Sequence, residues 1–321
     1  MTPKNQKKVV ILGTGGTIAG RAASASDAVG YTAAQLGVAQ LLACLPLAQT
    51  VTVAAEQVAQ VDSKDMGFAV WRQLAQRVQF HLAQADVAAL VITHGTDTLE
   101  ETAYFLQLLL APQKPVVLAC AMRPATALTP DGPQNLVDAV AVAADARATG
   151  VLAVCAGVIH SAQDVQKVHT YRLDAFGSGD AGPLGYVEEG AARWVRCMPA
   201  AAPGWALPGR QLPQHWPRVE MILNHVEGSA HVVDALLDQH LSPARTAPPL
   251  AGLVVAGTGN GTLHANLQAA LLRAQAAGVR VVRASRCPQG RVLATANDAF
   301  PDSEGLSAVK ARVALMLRLA Q

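Results

Sequence analysis

The chain has 321 residues, longer than one hydrophobic core usually grows, so two domains are expected. Hydrophobic residues make up 51% and charged residues 15%, a composition for a large buried core and not for a disordered chain. The net charge of +2 argues against a protein held to nucleic acid by phosphate contacts, and the longest apolar runs fall short of a membrane span.

In chain order, the opening "MTPKNQKK" is polar and leads straight into a strand. It has no apolar core or cleavage site of a secretory signal, so the expected compartment is the cytoplasm, or the periplasm if a leader was removed. Short apolar runs at Val9–Leu12, Leu90–Thr93, Val116–Cys120 and Val151–Cys155 read as buried strands of a parallel sheet. Amphipathic segments at Met66–Ala83, Leu99–Leu110 and Asn135–Arg147 lie between them as helices, with Asp131 and Pro133 as start signals for the last. Alternating strand and helix means an α/β fold with sites at the carboxyl ends of strands. The rhythm fails after Arg196, where "CMPAAAPGWALPGRQLPQHWPR" holds five prolines and reads as a linker. It resumes with strands at Val219–Leu223, Leu253–Ala256 and Val279–Val282 and helices at His231–Gln239, Leu267–Ala277 and Ser307–Leu319. The expected organisation is two α/β domains: a larger one with a mainly parallel sheet at 1–196, a linker at 197–217, and a smaller parallel-sheet domain at 218–321.

Five cysteines (44, 120, 155, 197, 287) form no CxxC pair, and nothing requires a disulfide or a zinc site. Cys120 and Cys155 lie in apolar runs and read as small core residues. Lysine is scarce, seven against eighteen arginines, so an internal lysine stands out.

Residues 9–20, "VVILGTGGTIAG", break a strand into glycines and hydroxyls. The dinucleotide fingerprint needs a third glycine where Ile18 stands, and the P-loop needs Lys-Ser/Thr where Arg21 and Ala22 follow Gly20. What remains is Gly15-Gly16-Thr17 after a strand, either a plain turn or a place where backbone N–H groups meet an oxyanion. A second strand ends in "VITHGTDTLEET" at 91–102, where helix capping explains one of Asp97 and Thr98 but not the whole polar run. Adjacent parallel strands would set these two Gly-Thr ends side by side. Lys167, in "SAQDVQKVHTYRLDAF", is either a solvated lysine or a base near Thr96, in which case burial or a nearby cation must lower its pKa. "AGTGNGTLH" at 256–264 is a turn by default, with Asn260 able to reach across to the first domain. No Gly-x-Ser-x-Gly elbow and no His-Glu-x-x-His occurs.

On these residues the chain closely resembles the bacterial-type L-asparaginases and glutaminase-asparaginases over nearly its whole length. The resemblance rests on "TGGTIAG" (14–20), "YTAAQLGV" (31–38), "EQVAQVDSKDM" (56–66), "VITHGTDTLEETAYFL" (91–106), "KPVVLACAMRP" (114–124), "DGPQNL" (131–136), "GPLGY" (182–186) and "GNGTL" (259–263). It implies a threonine acyl-enzyme that converts L-asparagine to L-aspartate and ammonia, with no metal or cofactor. It implies Thr17 as nucleophile, Tyr31 on a closing loop as its assistant, and Thr96, Asp97 and Lys167 as a second triad. Ser63 and Asp97 would grip the substrate carboxylate and ammonium, Asn260 would join the polar network from an interface, and Gly16 and Thr96 N–H groups are candidates for the oxyanion hole. The implied assembly is a homotetramer, a dimer of dimers. Two positions depart from the family: Lys64 stands where glutamine is common, and Asn297 falls where a neighbour commonly supplies a carboxylate. Asparagine is expected over glutamine. The alternatives are a broad glutaminase-asparaginase and a tRNA-dependent amidotransferase subunit, the latter wanting an RNA-facing domain.

Overall fold

The computed structural model describes residues 8–43, 45, 51–199 and 212–320. The opening heptapeptide, Cys44 and most of the proline-rich linker lie outside the described residues. These fall into two compact units, one within 8–199 and the other within 212–320.

The first unit is built on an eight-stranded sheet. Its strands are β1 (Lys8–Gly15), β2 (Thr52–Val61), β3 (Val87–Thr93), β4 (Val116–Ala119), β5 (Val151–Cys155) and β6 (Val158–Ser161), and then, beyond a two-stranded ribbon of β7 (Gln166–Lys167) and β8 (Phe176–Gly177), β9 (Gly185–Glu188) and β10 (Ala191–Trp194). The spatial order is β10-β9-β6-β5-β4-β3-β1-β2. The pairs β1–β2, β1–β3, β3–β4 and β4–β5 are parallel, whereas β5–β6, β6–β9 and β9–β10 are antiparallel. The sheet is therefore mixed. Its parallel half contains the apolar runs, and its antiparallel edge is made of short hairpins that carry no comparable signal.

Helices α1 (Val38–Ala43), α2 (Phe68–Leu82), α3 (Leu99–Leu110) and α4 (Gly132–Ala144) connect the parallel strands. Val9 and Ile11 of β1, Ala89 and Val91 of β3, and Val117 of β4 pack with Val38, Leu136, Ala139 and Val140 in one core. The alternate residues Val10, Leu12, Leu90, Ile92 and Leu118 are buried as well. A strand turns successive side chains to opposite faces, so both faces are covered, and that is why these strands read as unbroken apolar runs. α2 and α3 supply the second cover through contacts with β3 and β5. Each fully buried leucine or isoleucine contributes roughly 1.5–3 kcal/mol.

The second unit has a three-stranded parallel sheet, β11 (Arg218–Leu223), β12 (Leu250–Gly257) and β13 (Arg280–Ser285), in that order. It packs with α5 (His231–Leu241), α6 (Ala265–Ala276) and α7 (Ala308–Leu319).

Candidate active site

The chain runs from β1 outward to β2, then returns to the other side of β1 for β3, β4 and β5. The crossovers therefore diverge between β1 and β3, and in parallel sheets the crevice for a ligand opens at the carboxyl ends of such a pair. Gly13 pairs with Thr93 and Gly15 with Val61, so the ends of β1, β3 and β2 lie side by side. The loops that leave them carry Gly16-Thr17, His94–Asp97 and Asp62–Lys64.

Gly16 shapes the first loop. Its φ is 79° and its ψ is −171°, a region that only glycine populates at low cost. A Cβ there would stand 2.3 Å from both Cα and N of Gly95, so the two loops touch backbone to backbone. Thr17 follows, buried, at the start of a single 3₁₀ turn closed by Gly20 N–H donating to Thr17 O at 2.8 Å. Its Oγ1 is 2.6 Å from the Tyr31 hydroxyl. The segment bearing Tyr31 is tied back by an antiparallel bridge between Arg21 and Thr32. Burial pushes the Tyr31 phenol up, and the Asp62 and Asp97 charges add to this against the Thr17 bond, so the phenol keeps its proton at neutral pH.

The second loop bonds to Lys167, which the β7–β8 ribbon holds. Lys167 Nζ donates to Thr96 Oγ1 at 2.8 Å and to Asp97 Oδ1 at 2.6 Å. Asp97 is half exposed, and a surface pair of this kind contributes little stability, so its effect is to aim the amine. Asp97, Lys167, Val168, His169 and Thr170 line a cleft of about 360 Å³. Ser63 is buried, and its Oγ accepts the Asp97 N–H at 3.1 Å while its carbonyl accepts from Thr98 Oγ1 at 2.8 Å. Thr98 occupies the cap position of α3 without capping it, because its hydroxyl is spent on Ser63.

The structure alters one expectation. The Gly16 N–H donates to Val61 O at 2.9 Å, so it is not free to meet an oxyanion. β2 reaches far enough along β1 to take this donor, and no motif announced that.

The remaining candidate positions are Lys64, next to Ser63 in its turn, and Asn260 and Asn297 in the second unit. Lys64 is exposed and pairs with Asp65 at 2.5 Å and Asp62 at 3.4 Å, so its charge is balanced within its own turn. Asn260 belongs to the second unit and exchanges both amide bonds with Leu293, 3.0 Å to the carbonyl and 2.7 Å from the N–H. Asn297 is exposed in the same unit, and the adjacent Asp298 is paired with Arg283. Three supporting residues were not among the candidate site residues. Glu100 accepts the Lys167 N–H at 3.4 Å. Asp131 stands at the cap position of α4, where the sequence placed a helix start, and its carboxylate accepts the Met122 and Arg123 N–H groups at 2.9 Å each. Asn135 bridges Cys120 O and Ala156 N, also at 2.9 Å each.

His94 is fully buried between the two threonine loops' supports. Its Nδ1 is 2.7 Å from Gly95 O, and its Nε2 has no partner among the described residues. Burial lowers its pKa from 6.5 to about 4, with the Gly95 carbonyl opposing. The unfolded chain therefore takes up this proton first as the pH falls. Native stability should drop between pH 6.5 and 4, by about 3 kcal/mol from this residue alone. Urea unfolding at pH 7 and pH 4.5 checks this. His94→Gln should show a smaller acid loss than the parent, and equal losses would refute the assignment.

Two threonine hydroxyls, each bonded to a titratable partner at the switch point in the parallel half of the sheet, are the equipment of an α/β enzyme that works through a hydroxyl nucleophile. A family profile described as "Asparaginase, N-terminal" matches residues 8–199, and one described as "Glutaminase/Asparaginase C-terminal domain" matches residues 218–321. The chain belongs to the asparaginase family. It is 38% identical to "L-asparaginase 2" of Escherichia coli (strain K12) over 98% of this chain and 89% of that one. It is equally 38% identical to "Glutaminase-asparaginase" of Pseudomonas fluorescens biotype A, over 98% of this chain and 86% of that one. The solved structure of a "Probable Cytoplasmic L-asparaginase from Campylobacter jejuni" superposes with a TM-score of 0.88 at 35% identity, covering 98% of this chain and 95% of that one.

Proposed function

We propose that this chain hydrolyses L-asparagine to L-aspartate and ammonia through an ester on Thr17. The observation that carries this is the 2.6 Å bond between Thr17 and Tyr31, on a strand end packed against the loop of Thr96, Asp97 and Lys167. The names of the relatives support the substrate.

Thr17 Oγ1 attacks the carboxamide carbon. A protonated phenol cannot act as a simple base, so Tyr31 takes the Thr17 proton as it gives its own to the departing nitrogen. Ammonia leaves, and water cleaves the ester by the reverse path. Asp97 holds the substrate ammonium with its exposed side. Ser63 already accepts a bond from Asp97 N–H, so its own proton remains to donate to the substrate carboxylate. The Thr96 N–H remains as a candidate oxyanion donor, a type of contact worth about 2.7–4 kcal/mol. Gly16 acts through conformation.

The reading extends to domains at 1–196 and 218–321 joined by 197–217, to a cytoplasmic location, and to a homotetramer. Asn260 shapes a loop that serves a neighbour's site in that assembly. A gel-filtration mass far from four times the 33.3 kDa chain would reject the tetramer.

A broad glutaminase-asparaginase is the second reading, favoured by the name of the Pseudomonas relative. One methylene in a fitted pocket is worth roughly 10–200-fold. Ammonia release from both amides should give a kcat/KM for asparagine at least about tenfold above glutamine. Comparable values would replace the first reading by the second.

A further inference from the structure

We propose that Cys120 and Cys155 are a redox modification site, at which hydrogen peroxide joins the two thiols in one intramolecular disulfide across the carboxyl ends of β4 and β5. The two sulfurs are 2.7 Å apart. The cysteines follow directly on the last parallel pair, Ala119 with Val154, so adjacent strands hold their backbones at about the 4.8 Å strand spacing. Disulfides span Cα separations of about 4.4–6.8 Å, a range that this strand spacing meets. Asn135 fixes both backbones from the side, donating to Cys120 O and accepting from Ala156 N. The other two described cysteines, Cys197 and Cys287, are exposed.

The chemistry balances in two steps. The Cys120 thiolate attacks one peroxide oxygen, the O–O bond breaks, the sulfur keeps that oxygen as a sulfenic acid, and the departing hydroxide takes up the proton the thiol released to become water. The Cys155 sulfur then attacks Cys120 Sγ, the S–O bond breaks, and a second water leaves. Two thiols and one peroxide give one disulfide and two waters. Burial pushes the Cys120 thiol up, with Cys155 adding to it, so the native pair reacts slowly and a small oxidant is the kind that reaches it. The bond would anchor the segment that Cys120 opens. That segment supports the Tyr31 loop, with Ala125 N–H donating to Gly20 O and Leu128 N–H to Ala25 O, each at 3.0 Å.

The test uses the full chain in two samples, one treated folded with excess peroxide and one refolded from guanidinium in its presence. Both are alkylated under denaturing conditions and mapped as peptides without reductant. A peptide joining Cys120 to Cys155, two hydrogens lighter than its parts and released by dithiothreitol, is expected in at least one sample. Cys120→Ser should abolish it, with Cys155→Ser as the second variant should the first not fold. Full alkylation of both cysteines in both samples, or a link from either one to Cys197 or Cys287, would overturn the proposal.

Discussion

Thr17→Ala is expected to lower kcat on asparagine by about four to six orders of magnitude, the usual cost of deleting the nucleophile from a hydroxyl-dependent site. The variant should still fold. Thr17 is buried but small, its side chain bonds Tyr31, and losing one such bond costs about 1 kcal/mol net. Circular dichroism and a urea midpoint near the parent's would show this. Thr17→Ser keeps the hydroxyl within reach of Tyr31 and should recover a measurable part of the rate. Thr96→Ala leaves the Thr17–Tyr31 bond in place but takes from Lys167 one of its two side-chain acceptors. The two variants therefore separate the candidates. Near-full turnover in Thr17→Ala together with loss in Thr96→Ala would move the nucleophile to Thr96, with Lys167 as its base.

Gly16→Ala should be nearly as damaging, although it removes nothing. Any residue other than glycine at φ 79° and ψ −171° is strained by about 1–3 kcal/mol. Its Cβ would also stand 2.3 Å from the Gly95 backbone and 2.8 Å from the carbonyl carbon of His94, which must then move. Overpacking of this kind typically costs a further 1–3 kcal/mol, for a total of about 2–6 kcal/mol. Relief comes only by pushing the loop of Thr96 and Asp97 away from Thr17, so activity should fall even where the fold survives. Gly67→Ala is the control, since nothing lies within 4 Å of its added Cβ and its φ is an ordinary −130°. A Gly16→Ala protein with unchanged turnover and urea midpoint would refute the view that this glycine keeps the two threonine loops in contact.

The parallel half of the larger sheet was legible because both of its faces are buried. α3 begins and ends where its periodicity does, at Leu99–Leu110, and β5 likewise at Val151–Cys155. β2 was not legible. It lies on the sheet edge with most side chains half buried or exposed, so its ten residues show neither an apolar run nor a clean alternation. That strand has chemical consequences, because its Val61 carbonyl occupies the Gly16 N–H. β9 and β10 escaped because each has only four residues, mostly half buried or exposed.

The residue types of the candidate site were determined by the sequence itself: Gly-Thr twice at the ends of buried strands, a lysine where lysine is rare, and polar residues that capping alone does not explain. These are local features, written in the order of neighbouring residues. Tertiary structure decided which of them meet. Lys167 reaches Thr96 and Asp97 from some 70 positions away because a short ribbon beyond the β5–β6 hairpin brings it back over α3. Ser63 bonds Asp97 because β2 and β3 flank β1 in the sheet. Cys120 and Cys155 read separately as core residues and became a pair only when β4 and β5 lay side by side. Hydrogen bonds are settled by distances of a few tenths of an ångström between segments far apart in the chain, and those distances are set by strand order, which no single stretch of residues specifies.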